Sequence, residues 1–135
     1  MKLFLYTDGG ARGNPGPAAI GVILKNETEE KIAEKGLFIG NTTNNLAEYT
    51  ALVEGLILAH EKNPEELNCF LDSELVVKQL HGFYKVKNLK IKPLFEKIRS
   101  LEKNFKKVTY KHVSRHLNAE ADALVNKVLD AKYNA

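Results

Sequence analysis

The stretch Lys2-Leu3-Phe4-Leu5-Tyr6-Thr7-Asp8, followed by Gly9-Gly10-Ala11-Arg12-Gly13-Asn14-Pro15-Gly16-Pro17, joins a β-rich apolar run to a turn-rich loop, with an aspartate at the junction. A solvated surface acid has no need of such small neighbours. The reading predicts a first strand over residues 2–7 that ends at Asp8, and a loop from Gly9 to Pro17.

Working outward, residues 18–24 read as a second strand, 25–30 as a charged hairpin connection, and 31–39 as a weakly alternating third strand. The first three elements are thus an antiparallel meander. From Leu46 the period changes: Leu46, Ala47, Tyr49, Ala51, Leu52, Leu56, Ile57 and Ala59 mark a largely buried helix, and Thr42-Thr43-Asn44-Asn45 supplies its N-cap candidates. Residues 67–71 form a short buried strand ending at Asp72. After it the pattern predicts a helix over 73–80, a basic loop, a helix over 93–104, a strand over 108–113 and a last helix opening near Asn118. This order implies an α/β fold, a mixed sheet with helices packed on its faces.

A length of 135 residues with 44% hydrophobic content fits one globular domain spanning 1–135. The apolar stretches are strand-sized and no signal-like core follows Met1, so a soluble, cytoplasmic monomer away from membranes is expected. The single cysteine, Cys69, lies inside an apolar run and reads as a small core hydrophobe.

The net charge of +3 conceals an asymmetry. Residues 1–74 carry 6 Lys/Arg against 12 Asp/Glu, whereas residues 75–115 carry 12 against 2. A basic middle third suggests a polyanionic partner. Lys97, Arg99, Lys103, Lys106 and Lys107 fit a solvated helix face equally well. Lys85, Lys87, Lys90 and Lys92 differ, because they surround Phe83 and Tyr84 in a Gly-containing stretch, a pattern suited to a nucleic-acid strand.

Asp8 and Asp72 close apolar strands, and Glu48 and Asp122 fall in the opening turns of helices. In open α/β sheets the functional crevice forms at the carboxyl ends of strands. Carboxylates gathered there repel one another, so the cluster is stable only with cations. An all-oxygen ligand set, with no His or Cys at zinc spacing, selects a hard ion such as Mg²⁺.

Four motifs carry a resemblance: Tyr6-Thr7-Asp8-Gly9-Gly10 with Gly13-Asn14-Pro15-Gly16, Thr42-Thr43-Asn44-Asn45-Leu46-Ala47-Glu48, Leu71-Asp72-Ser73, and Arg115-His116-Leu117-Asn118-Ala119-Glu120-Ala121-Asp122. Together, in this order, the chain resembles ribonuclease H of type 1 from residue 3 to about residue 126. The resemblance implies a five-stranded mixed sheet with helices on both faces. It also implies endonucleolytic hydrolysis of the RNA strand of an RNA–DNA hybrid, leaving 5′-phosphate and 3′-hydroxyl ends.

By similarity, Asp8, Glu48, Asp72 and Asp122 would hold two Mg²⁺ ions about 4 Å apart, with Mn²⁺ as a substitute. Asp8 would bridge them, Asp122 would stand nearer the nucleophile, and Glu48 would also contact a 2′-hydroxyl. Gly9 and Gly10 would let the backbone approach the minor groove, where Arg12, Asn14, Asn44, Asn45 and Ser73 belong to the binding surface. Thr43 and Asn88 match positions that hold a DNA-strand phosphate, Phe83 or Tyr84 would stack on a DNA sugar, and Lys85 and Lys87 would add charge.

Two departures from long-loop members stand out. The chain between Leu80 and Pro93 is too short for a long basic protrusion, and no separate hybrid-binding domain precedes residue 1, so a distributive enzyme is expected. Lys111-His112-Val113-Ser114-Arg115-His116 also leaves little room for a flexible histidine loop before Asp122. Arg115 is the candidate replacement as a phosphate-contacting cation, His116 a weaker one, and His112 is expected to be structural. Alternatives are a same-fold nuclease, such as an integrase or junction resolvase, one with broader activity that includes double-stranded RNA, or a non-catalytic nucleic-acid-binding module.

Overall fold

The computed structural model describes residues 1–134. Five strands, β1 (Lys2–Ala11), β2 (Gly16–Lys25), β3 (Lys31–Thr42), β4 (Glu66–Leu71) and β5 (Lys107–His112), form one sheet in the order β3-β2-β1-β4-β5. The strands β1, β2 and β3 pair antiparallel, while β4 runs parallel to both β1 and β5. Four helices complete the described residues: α1 (Asn44–Glu61), α2 (Glu74–Leu80), α3 (Lys92–Glu102) and α4 (Ala119–Asn134), the last entered through a 3₁₀ turn, Arg115–Asn118. The α/β mixed-sheet architecture expected from the element order is the one observed.

Period-2 alternation assigns the strand faces. Leu3, Leu5 and Leu24 join Leu52, Leu56, Leu67, Leu71, Val76 and Ile98 in the main core, between the sheet and α1, α2 and α3. Each such fully buried aliphatic side chain contributes about 2 kcal/mol of transfer free energy. The opposite face has a smaller core, where Ala19 meets Val125 and Leu129 of α4, with Phe38 and Val128 packed alongside. Cys69 lies in the main core, and burial pushes its thiol up, which makes it an inert hydrophobe rather than a nucleophile.

The sequence reading ended β1 at residue 7 and made a loop of 9–17, and this is corrected. β1 continues through Asp8 to Ala11, with Gly9, Gly10 and Ala11 paired to Ile20, Ala19 and Ala18 of β2. What ends at Thr7 is the other ladder: Thr7↔Leu71 is the last rung between β1 and β4. Beyond that rung the sheet is open on the β4 side, and Asp8 and Asp72 both lie just past it.

Helix starts follow local capping. The Thr43 hydroxyl accepts from the Leu46 amide at 3.2 Å and caps α1, and Ser73 caps α2 by accepting from Val76 at 3.3 Å. No helix among the described residues is long and apolar enough to cross a membrane.

Candidate active site

Asp8 lies on the sheet face that α4 covers, since Gly10, two residues on, faces Val125. Glu48 rises from α1 on the other face. They meet because the sheet is open past Thr7↔Leu71. Gly9 makes the meeting possible: a Cβ there would lie 2.2 Å from the Ala47 carbonyl and 2.5 Å from the Glu48 nitrogen, so only glycine lets β1 and α1 approach this closely. The Gly9 amide then donates to Glu48 Oε1 at 3.3 Å.

One carboxylate oxygen from each of Asp8, Glu48 and Asp72 fits within a mutual 4.8 Å. Asp122, in the first turn of α4, faces Asp8 from the side and lines the same open cleft of about 550 Å³. Glu48 Oε2 and Asp72 Oδ2 are buried with no hydrogen-bond partner in the protein. Burial, together with the Asp72 and Asp122 charges, pushes the Asp8 carboxyl up to about 7. Burial and the neighbouring Asp8 charge hold Glu48 well above the usual carboxylate range. Orphaned oxygens and retained protons are what an acidic cluster shows when its arrangement fits divalent cations, and the donors are hard oxygens throughout.

The cleft gathers much of the surface expected for substrate. Gly9, Gly10, Arg12, Asn44, Asn45, Ser73 and Arg115 line it together with the four acids. Arg115 reaches the cleft lining and the exposed His116 does not. His112, expected to be structural, is exposed at the end of β5.

Asn14 and Asn44 form a relay. Asn14 Oδ1 accepts from the Asn44 backbone amide at 3.1 Å, and Asn44 Oδ1 accepts from the Ala11 amide at 2.8 Å. Both carboxamide oxygens are therefore engaged by backbone, which turns the NH₂ groups outward as donors.

Other residues stand away from the cleft. Phe83 is 74% exposed and Tyr84 is 50% exposed, so neither is a core aromatic. They sit with Lys85, Lys87 and Asn88 in the segment between α2 and α3, which holds no helix. Asn88 Oδ1 accepts from Lys90 at 2.8 Å and Ile91 at 3.2 Å, so its carbonyl shapes the turn into α3 and its NH₂ group stays outward. Arg99, one of the cations open to either reading, is bound internally to Glu102 and the Leu80 carbonyl. Arg12 is paired with Asp130 at 2.6 Å across the cleft rim. The sequence reading missed Asn126, which lines the cleft one turn after Asp122; its spacing of four on a helix was the available signal.

Residues 6–128 match the family described as reverse transcriptase-like. A ribonuclease H of Coxiella burnetii is 33% identical over 145 residues, covering 95% of this chain and 90% of the relative. The chain belongs to the ribonuclease H family. A bifunctional protein of Mycobacterium tuberculosis is 39% identical over 132 residues, which cover 97% of this chain but only 36% of the relative. Among solved structures, an LC11 ribonuclease H1 isolated from compost, in complex with RNA/DNA hybrid, superposes with a TM-score of 0.91 at 41% identity, over 96% of this chain and 98% of that one. Family membership implies use of divalent metal, in keeping with the acidic cluster.

Proposed function

We propose that this chain is an endonuclease that hydrolyses the RNA strand of RNA–DNA hybrids, with Asp8, Glu48, Asp72 and Asp122 holding two Mg²⁺ or Mn²⁺ ions. The observation that carries the reading is the convergence of Asp8, Glu48 and Asp72 from three segments within 4.8 Å, with Asp122 beside them and the carboxamides of Asn44, Asn45 and Asn126 on the cleft wall. The hybrid held by the LC11 relative supports the substrate class.

When bound, the ions supply charge neutralisation at the scissile phosphate, an activated water and stabilisation of the leaving 3′ oxygen. The protein supplies position. Asp8 is fixed by β-pairing on one side, and Glu48 is held by the Gly9 amide, so neither carboxylate has to reorganise. To hold the ions, Asp8 and Glu48 would give up the protons that burial and neighbouring carboxylate charge let them retain. Glu48, nearest the α1 wall, also meets the ribose 2′-hydroxyl, the group that separates RNA from DNA at one position.

Binding is divided by chemistry. The outward NH₂ groups of Asn14 and Asn44, with Asn45, donate to the acceptors of the minor groove, while the Gly9-Gly10 backbone admits the sugar edge. Arg12, Ser73 and Arg115 face phosphates around the acids. Thr43, Asn88, Phe83, Tyr84, Lys85 and Lys87 take the DNA strand, which lacks the 2′-hydroxyl and lies over the basic segment.

The test incubates the protein with Mg²⁺, Mn²⁺ or EDTA and end-labelled hybrid, duplex RNA, duplex DNA and single strands. Metal-dependent cleavage of the RNA in the hybrid, with 5′-phosphate products, is expected. Equal cleavage of duplex RNA would broaden the substrate class, and cleavage of duplex DNA would replace the reading by that of a DNA nuclease.

A further inference from the structure

We propose that Asn118 is a positioning residue that sets the separation of Asp122 from Asp8, and so the geometry of the outer half of the acidic site. The inference rests on the cleavage reading above for its kinetic arm only.

Asn118 ends the 3₁₀ turn that leads into α4, and it is one of few polar side chains in the interior, 1% exposed. Its Nδ2 donates to the Thr7 carbonyl at 2.8 Å, a contact across 111 residues of sequence. Thr7 is the residue before Asp8 and forms the last rung to β4. Asp122 follows Asn118 by four residues, one helical turn onward on the same side of α4. One hydrogen bond therefore ties the peptide that carries Asp8 to the turn that carries Asp122.

The geometry on the other side makes that bond consequential. Asp8 pairs with Gly21 of β2, and a Cβ on Gly21 would stand 2.3 Å from the Ala121 carbonyl. The first turn of α4 thus rests on bare backbone, with no side chain at that point to limit sliding along β2. Ala121, fully buried, and Val125 supply contact area but are small and non-directional. Asn118 is the buried directional element at this end of the helix; the other tie to β2, Lys25 to Glu120 at 2.6 Å, is a surface ion pair with Glu120 half exposed.

Its other polar atom strengthens the case. Asn118 Oδ1 is buried with no protein partner. A residue kept for packing would be replaced without loss by an apolar side chain of similar size, since an unmatched buried acceptor costs about 1–3 kcal/mol. The donor to Thr7 is what an apolar replacement lacks. Among the described residues no side-chain hydrogen bond joins Asn118 to Asp8 or Asp122, and it does not line the cleft, so it acts through backbone and is not a ligand.

The experiment compares wild type, Asn118→Asp, which keeps the shape but turns an acceptor toward the Thr7 carbonyl, and Asn118→Ser, which shortens the side chain. Melting curves first establish that each variant is folded. Two quantities are then read: kcat and KM on hybrid, and Mn²⁺ affinity by titration calorimetry, which needs no turnover. Loss of position predicts that kcat falls at least about tenfold, that KM for hybrid stays within about twofold, and that Mn²⁺ binds severalfold more weakly. If Asn118→Asp does not fold, Asn118→Ser decides by the same readings. Folded variants with a lowered melting temperature but unchanged kcat and Mn²⁺ affinity would reduce Asn118 to a structural role and overturn the proposal. If wild type itself does not cleave hybrid, the cleavage reading fails, and the Mn²⁺ comparison still decides Asn118.

Discussion

The Gly9 backbone amide and the Glu48 carboxylate share a hydrogen bond of 3.3 Å at the point where β1 and α1 come closest, and the absence of a Cβ on Gly9 is its precondition. In Gly9→Ala the methyl group would meet the Ala47 carbonyl at 2.2 Å, and rigid backbone on both sides leaves no side chain to give way. The substitution is expected to cost roughly 3 kcal/mol or more in urea denaturation. Cleavage should fall further than stability does, because Glu48 moves with α1. A variant with wild-type stability and turnover would contradict the close approach.

Asp8→Asn keeps volume and β-pairing but removes a carboxylate from the centre of the cluster. The folded variant should bind hybrid about as well as wild type and show no metal-dependent cleavage. Gel-shift and product assays on one preparation check this; unchanged turnover would remove Asp8 from the metal site.

The metal-free protein should lose stability as pH rises. Asp8 titrates near 7 when folded, against 3.8 ordinarily, so between those values the folded state holds a proton that the unfolded chain has released. Stability from that proton is present below about pH 4 and lost by about pH 7, on the order of 4 kcal/mol in all. Denaturation in EDTA at pH 5 and pH 8 samples the part above pH 5, roughly 2.7 kcal/mol. Asp8→Asn should remove the Asp8 share of the slope and leave the share that burial gives Glu48, and Mg²⁺ or Mn²⁺ should restore stability chiefly at the higher pH.

Asn44→Asp separates the two functions of that side chain. The carboxylate still accepts from the Ala11 amide but has no NH₂ to offer a minor-groove acceptor. KM on hybrid is expected to rise by about tenfold, the value of one lost directional contact of roughly 1.4 kcal/mol, while kcat and melting temperature change little. A melting temperature that collapses with KM unchanged would make Asn44 purely a turn residue.

Lys85→Ala with Lys87→Ala tests the basic segment. Both side chains are exposed, outside any helix, and without an ion-pair partner among the described residues. If each meets a phosphate, the slope of log affinity against log salt should become shallower by roughly two. An unchanged slope would remove this surface from the hybrid interface.

Much of this was legible before the structure. Strand and helix order and the Thr42–Asn45 stretch that caps α1 follow from local periodicity, and the four acids were marked by their places at element ends and by the motifs that carry the family resemblance. The end of β1 did not follow. Gly9, Gly10 and Ala11 carry turn-like composition, and only their pairing with Ile20, Ala19 and Ala18 makes them strand, a long-range effect that overrides local preference. The same limit hid Asn118, which reads as a helix opener and reveals its bond to Thr7 only when residues 111 apart in sequence are placed together. Arg12 was legible as a cation at the site, but its pairing with Asp130 was not, since α4 returns to the rim only in three dimensions.

The carboxamide relay from Asn14 through Asn44 to Ala11 bears on how fast this protein meets its substrate. Its reading groups are already oriented in the free molecule, each fixed by a backbone amide that does not leave on binding. Association therefore needs no loop to order first, and its rate should follow diffusion and ionic strength. Discrimination between hybrids would then appear in residence time, with each wrong contact shortening the stay and leaving the rate of arrival unchanged.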